Sequence, residues 1–404
     1  MKHALITSTA ALAVGLSMAN AQEVTGLSKA LSEAKPILAV RLRYEGVDQA
    51  GFDDNATALT SRVSAGFETG SISNTKLLVD FDYVESYISE YNSTINGDTE
   101  YPVVPDPEVT ELNRLQLTNT SIEDTAITIG RQRIKLDDDR FVGNVGWRQN
   151  EQTFDALRVV NKSVEGLTVD VSYVNQVNRI FGDDSPMGRW DSNSVLANAQ
   201  FKVPAEGVDL TLTGFAYLLD FEDDAPAASS QTYGVAAALK NGPLTFKARY
   251  AKQSDYAEQP VEFDADYYDV SVSFAKDGFE GKIGYEVLGS DDGVKAFSTP
   301  LATLHAFNGF ADLFLGTPAA GLEDLYGTIS ITKKKVGAAD LIKVFGTVHD
   351  FSSNEGGADY GTEFDAVALA KFGKTTFLVK YADYQADEFA GDRQKMWAEV
   401  SWAY

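Results

Sequence analysis

From about residue 38 to its end the chain alternates. Leu38, Val40, Leu42 and Tyr44 stand against Ala39, Arg41, Arg43 and Glu45, and Leu77, Val79, Phe81 and Tyr83 against Lys76, Asp80 and Asp82. Leu244, Phe246, Ala248 and Tyr250 oppose Thr245, Lys247 and Arg249, and Phe377, Val379 and Tyr381 oppose Thr376 and Lys380. A period of two is the mark of a strand with one apolar face and one wet face. Charges fall repeatedly on the same face. Lys or Arg turned to lipid at the bilayer midplane costs roughly 2–4 kcal/mol, so that face must line water. The pattern predicts an all-β fold, a transmembrane antiparallel β-barrel of about eighteen strands, with sixteen or twenty inside the error of such counting.

Two kinds of connection alternate between the runs. Short ones cover 70–74, 123–124, 163–166, 204–207, 241–242, 276–278 and 372–374; long ones cover 87–109, 137–150, 181–193, 221–230, 255–262, 290–321 and 351–359. Membrane barrels have this asymmetry, with tight periplasmic turns and longer extracellular loops. Asn241-Gly242 and Asp277-Gly278 are the strongest hairpin signals. The final run, Met396 to Tyr404, alternates and stops on an aromatic residue. It reads as a closing strand that pairs with the first and leaves no edge in lipid. It is also the strand that the barrel-assembly machinery would receive.

The start of the chain says where it goes. Met1-Lys2-His3 is basic, 4–18 is apolar but shorter than the roughly 20 residues of a helical span, and Ala19-Asn20-Ala21 fits a cleavage site. The chain thus divides into a signal peptide, 1–21, a periplasmic N-terminal segment, 22–37, and the barrel, 38–404. In the second segment, 26–35 reads as a short helix stopped by Pro36, either plugging the lumen or hanging free. The expected location is the outer membrane of a Gram-negative bacterium.

Composition fits this picture. Of 404 residues 44% are hydrophobic, and mean hydropathy is −0.18, as expected where only every second strand residue meets lipid. No cysteine is present, so disulfides and thiolate chemistry are excluded. A net charge of −25 argues against nucleic acid as a partner. The acids gather in the long connections. The expected lumen face is richer in bases: Arg41, Arg43, Arg62, Arg114, Lys202, Lys247, Arg249, Lys343 and Lys380, with Asp80 and Asp82 among its acids. Two readings stand. A basic stripe facing an acidic one would give weak anion preference, or the charges pair and only keep the interior wet. Asp137, Asp138 and Asp139 are candidate calcium ligands through their oxygens, without the spacing of an EF-hand; no cofactor is otherwise indicated. In the connection 290–321, Leu301, Leu304, Phe307, Phe310, Leu313 and Phe314 come near helical spacing. That predicts a short helix, with Leu304, Phe307, Phe310 and Phe314 as candidates for narrowing the lumen.

Longer blocks carry a resemblance. Gly130-Arg131-Gln132-Arg133-Ile134, and the run from Asp138-Asp139-Arg140-Phe141 through Trp147-Arg148-Gln149-Asn150 to Asp155-Ala156, resemble the hallmark block of the alginate-export-like outer-membrane porins. Val177 to Gly182 resembles a second block, and Thr299 to Asp312 with Thr317-Pro318-Ala319 and Gly321 to Tyr326 a third. The resemblance implies a monomeric barrel of about eighteen strands whose lumen is a conduit, and by motif position it adds Arg131 and Arg133 as candidate lumen bases.

The expected function is a channel for passive diffusion of small hydrophilic, possibly anionic, solutes. The alternative is export of an anionic polysaccharide such as alginate; a structural or adhesive barrel is a third reading. An enzyme is not expected. Past the signal the histidines are His305 and His349, with no Gly-x-Ser-x-Gly near either.

Overall fold

The computed structural model describes residues 21–404. The expected signal peptide, but for Ala21, lies outside the described residues. A helix, α1 (Ala21–Ser32), is followed by β1 (Lys35–Gln49), β2 (Ala56–Glu68), β3 (Thr75–Glu90), β4 (Val109–Asn119), β5 (Thr125–Gln132), β6 (Thr153–Asn161), β7 (Leu167–Asn178), β8 (Arg189–Val203), β9 (Asp209–Leu219), β10 (Ser230–Asn241), β11 (Leu244–Ser254), β12 (Asp264–Lys276) and β13 (Phe279–Leu288). A two-residue ribbon, β14 (Ser290–Asp291) with β15 (Lys295–Ala296), sits in a loop. The last strands are β16 (Leu322–Val336), β17 (Ala339–Ser352), β18 (Asp359–Phe372), β19 (Thr375–Ala386) and β20 (Arg393–Ala403).

Apart from the ribbon, these strands form one 18-stranded antiparallel sheet in which neighbours in sequence are neighbours in space. The sheet closes where β20 pairs with β1, setting Ala403 opposite Ala39 and Glu399 opposite Arg43, and the Tyr404 N–H donates to Leu38 O at 2.9 Å. Closure satisfies the edge groups that lipid cannot. Pro36, with no N–H to give, falls in the first residues of β1, below the reach of β20.

The wall is inside out relative to a globular protein. Leu38, Val40 and Leu42 are each about 40% exposed, whereas Arg43 and Glu45 on the opposite face of the same strand are 1% exposed. Outward-facing apolar residues recur around the barrel, among them Leu117, Ile129, Tyr173, Val235, Val270, Ile329, Val348 and Val379. Such a belt is stable only against hydrocarbon. The turns at one end are short, two residues at Gly242-Pro243 and Asp277-Gly278, and the loops at the other end are long.

Helix α1 begins earlier than its sequence pattern suggests and ends at Ser32, whose Oγ donates to Lys29 O at 2.8 Å. It packs on the β2–β3 turn: the Gly70 N–H donates to Ala30 O at 2.8 Å. A Cβ on Gly70 would lie 2.8 Å from the Glu33 carboxylate, so glycine permits this contact.

Candidate functional site

Two of the long loops do not stay outside. The β5–β6 loop, 133–152, and the β13–β16 loop, 289–321, fold into the barrel and pair with each other. Val142 and Leu301 form a parallel bridge, Gly143 N–H donates to Leu301 O at 2.9 Å, and Thr303 N–H donates to Asp139 O at 3.0 Å. Gln152 Nε2 ties both chains by donating to Gly143 O and Leu301 O. Aromatic packing seats the pair on the wall. The Phe141 ring lies 5.0 Å from Phe215 and 5.2 Å from Tyr267, and Phe314 packs against Phe351, Tyr360, Tyr384 and Phe389. Burying such a side chain stabilises by roughly 1.5–3 kcal/mol.

Charge does the rest of the seating. Arg41 donates to the carbonyls of Gly146, Trp147 and Arg148, Arg43 to Trp147 O, and Arg62 to Gln149 O. Arg148 reaches Glu45 at 3.0 Å and Asp312 at 3.1 Å; Lys395 reaches the same two carboxylates at 3.2 and 2.7 Å. His305 Nδ1 is 2.6 Å from Asp312, and its Nε2 takes a hydrogen bond from Lys380 Nζ at 2.7 Å. Both ring nitrogens are therefore committed, and burial holds the imidazole neutral, its pKa lowered to about 3. Its tautomer follows: Nδ1–H donates and Nε2 accepts. The ring stacks on Trp147 at 4.6 Å.

The opposite side of the interior is open. A cavity of about 330 Å³ is bounded by the loop residues Phe307, Asn308 and Phe310 and by the wall residues Lys247, Asp269, Lys282, Glu286, Asp324, Tyr326, His349 and Asp365. It adjoins a space of about 210 Å³ that shares Asp138, Lys247 and Asp269 and adds Gln200, Thr211 and Arg249. Toward the long-loop end lies a vestibule of about 400 Å³ bounded by Arg140, Arg179, Trp190, Lys295, Leu304 and Phe314. Arg140 stands between vestibule and inner cavity. It is 1% exposed and donates to Glu286 at 2.6 Å, to Thr299 Oγ1 at 2.9 Å and to Asn308 at 3.1 Å. Its guanidinium lies 4.9 Å from the Phe307 ring centre.

Most carboxylates of these cavities are already answered. Asp138 pairs with Arg249, Glu286 with Arg140 and Asp324 with His349, while Asp365 accepts the Phe310 N–H. Lys247 and Lys282 form no ion pair among the described residues, and of the acids lining the two spaces Asp269 and Asp137 likewise pair with no cation among the described residues. In the vestibule Arg179 donates to Met187 O and stacks on Trp190 at 3.8 Å, with no carboxylate partner among the described residues; burial lowers its pKa to about 10. Lys295 donates to Ala227 O at 2.6 Å, and burial lowers its pKa too.

The remaining sequence candidates fall into two groups. Arg114 grips Asp80, Arg131 pairs with Asp155 at 2.8 Å and Arg133 grips Glu151. Arg158, not singled out in the sequence, likewise binds Asp170 through Nε at 2.9 Å. Lys202 and Lys343 form no ion pair among the described residues. Asp82 is buried, with neither oxygen hydrogen-bonded.

Two expectations are corrected. The segment 301–314 is not a helix beyond one 3₁₀ turn, Leu304–Ala306. Asn308, Gly309 and Asp312 all have positive φ, which breaks helical continuation, and the apolar spacing instead serves two walls. Leu304 borders the vestibule, Phe307 and Phe310 the inner cavity, and Phe314 anchors the loop. The Asp137, Asp138 and Asp139 carboxylates do not converge on a calcium site. They bind Asn198 at 2.8 Å, Arg249 at 2.8 Å and Lys135 at 2.9 Å respectively. No cluster of three or more metal-binding side chains occurs among the described residues.

Arg140, Arg148, Arg179 and Lys295 were not picked out from the sequence. The usable signal was that Arg140, Arg148 and Arg179 lie inside the resembling blocks; Lys295 carried none.

No family model and no curated protein matches the sequence. Solved structures do match in fold. Pseudomonas aeruginosa OpdO aligns with a TM-score of 0.68 at 15% identity, covering 94% of this chain and 99% of that one. Acinetobacter baumannii OccAB4 aligns at 0.71 with 12% identity, covering 92% and 98%. P. aeruginosa OpdK, solved with vanillate, aligns at 0.66 with 14% identity, covering 93% and 99%. The likeness runs to OpdO, OpdK and OccAB4, and the resemblance to alginate-export-like porins is not borne out; what these comparisons share with this chain is the closed 18-stranded barrel.

Proposed function

We propose that this protein is an outer-membrane channel through which small hydrophilic, anionic solutes diffuse passively, and that it acts as a monomer. The carrying observation is the set of cations without a carboxylate partner among the described residues along the open side: Arg179 and Lys295 in the vestibule, Lys247 and Lys282 in the inner cavity. No acid lines the vestibule beside Arg179 and Lys295, and of the inner acids Asp138 and Glu286 are taken by arginine, so the charge a solute meets first is positive. Low-dielectric walls focus that field on a passing anion. The spaces, each of a few hundred Å³, suit a small molecule. OpdK, which shares the fold, was solved with vanillate, an aromatic carboxylate. Apolar side chains face outward all round the wall, which suits a barrel met by lipid on every side.

The test is single-channel recording in a planar bilayer under a salt gradient. The reversal potential of wild type should show anion preference, and Lys247→Glu with Lys282→Glu should abolish or invert it. Cation preference in wild type would sink the proposal.

A further inference from the structure

A second feature lies on the outside of the wall. The outward faces of β10 to β13 and β16 enclose an apolar groove of about 560 Å³, bounded by Ala237, Phe246, Ala248, Val272, Ile283 and Leu325. The small outward residues Ala237 and Ala248 line it, and two outward glycines adjoin it. Gly327 sits opposite Ile283 in register, and a Cβ there would meet nothing within 4 Å. Gly281 sits opposite Phe274 and Ile329, both exposed outward.

The two ends of this face carry opposite charge. Toward the short turns, Lys276 pairs in register with Phe279, and Phe279 with Ile331. Lys333, two residues past Ile331, points to the same side. Both lysines are exposed, and neither forms an ion pair among the described residues. The nearest acid in sequence is Asp277 in the turn. Toward the long loops, the outward charges are Asp264, Asp266 and Glu323, with Lys252 bound to Asp264 at 2.7 Å. From Val272 in the groove to Lys276 is four strand residues, about 13 Å.

We propose that this face binds one phospholipid of the periplasmic leaflet with an anionic headgroup, its acyl chain in the groove and its phosphate between Lys276 and Lys333. Apolar burial supplies an acyl site and the lysines supply headgroup preference. The acids at the far end repel the same headgroup, which fixes the leaflet.

The full chain would be refolded into vesicles of equal parts phosphatidylethanolamine and phosphatidylglycerol, released in mild detergent and weighed by native mass spectrometry. One phosphatidylglycerol should remain bound in preference to phosphatidylethanolamine. Lys276→Gln and Lys333→Gln should lower that preference, roughly fivefold for each lysine. Lys252→Gln should leave it unchanged, and Gly327→Phe should cut retention of both lipids. Gel mobility before and after heating reports that each variant is folded, and the lysine result decides alone if Gly327→Phe is not. A bound-lipid ratio equal to that of the vesicle, or one unmoved by the double lysine variant, overturns the proposal. Neither result depends on whether the channel conducts.

Discussion

At the scale of single residues, the interior is held by arginines that each do two jobs. Arg140 neutralises Glu286 and ties it to Thr299 and Asn308, so it fixes the loop and fills the gap between vestibule and inner cavity. Removing one partner of a buried pair leaves an uncompensated charge, at a cost of roughly 3–5 kcal/mol. Arg140→Ala should therefore lower stability by about that amount in urea unfolding, read from the heat-dependent gel shift. It should also raise single-channel conductance, because the side chain that divides the two spaces is gone. Unchanged stability would mean that Glu286 finds another donor. These roles were hard to read from the sequence. Arg131 and Arg133 stood out by their place in the block Gly130 to Ile134, yet both are paired, with Asp155 and Glu151. Arg140 and Arg148 stood in a loop, where an arginine ordinarily means solvent. The chain from Arg148 to Thr153 is entirely polar, and every one of its residues is no more than 3% exposed. Binary patterning places such a run on a surface, and here the surface is the inside of the barrel.

At the scale of elements, strands and loops differ in how far local sequence determines them. The eighteen barrel strands, their antiparallel order and the closure through Tyr404 follow from period-two alternation and turn chemistry, which are local. The paths of 133–152 and 289–321 depend on contacts between segments more than a hundred residues apart, such as Val142 with Leu301 and Arg148 with Glu45. No window of sequence reports those. The failed helix at 301–314 is the same lesson in small. Its apolar positions match a helical period because they alternate between vestibule, cavity and wall. Gly309 shows how tightly the loop is laid down: a Cβ there would fall 2.3 Å from the Glu363 carboxylate. Deleting residues 301–316 removes Phe307 and Phe310 from the inner cavity and takes Asp312 from Arg148 and Lys395. The variant should conduct severalfold more than wild type while keeping a closed barrel, since no strand is touched. Unchanged conductance would show that the β13–β16 loop does not set the opening.

At the scale of the whole molecule, two charge patterns compete. The chain carries −25, most of it in the long loops at one end, whereas Arg179, Lys295, Lys247 and Lys282, without carboxylate partners among the described residues, line the inner spaces. The loop acids act on an approaching anion through water across many ångströms, and the lumen cations act at contact. Salt separates the two, because the Debye length is about 30 Å at 0.01 M and about 8 Å at 0.15 M. At the lower salt the acidic end repels anions before they reach Arg179 and Lys295. At the higher salt that field has decayed, and Lys247 and Lys282, lining a narrow space, still meet every passing ion. The permeability ratio of chloride to potassium should therefore rise between these two concentrations, against the usual weakening of charge selectivity by salt. Neutralising Asp223 and Asp224 in the β9–β10 loop should raise the low-salt ratio and leave the high-salt ratio unmoved. A ratio that falls steadily with salt in wild type would mean that the loop acids lie outside the ion path and that the lumen cations alone set selectivity.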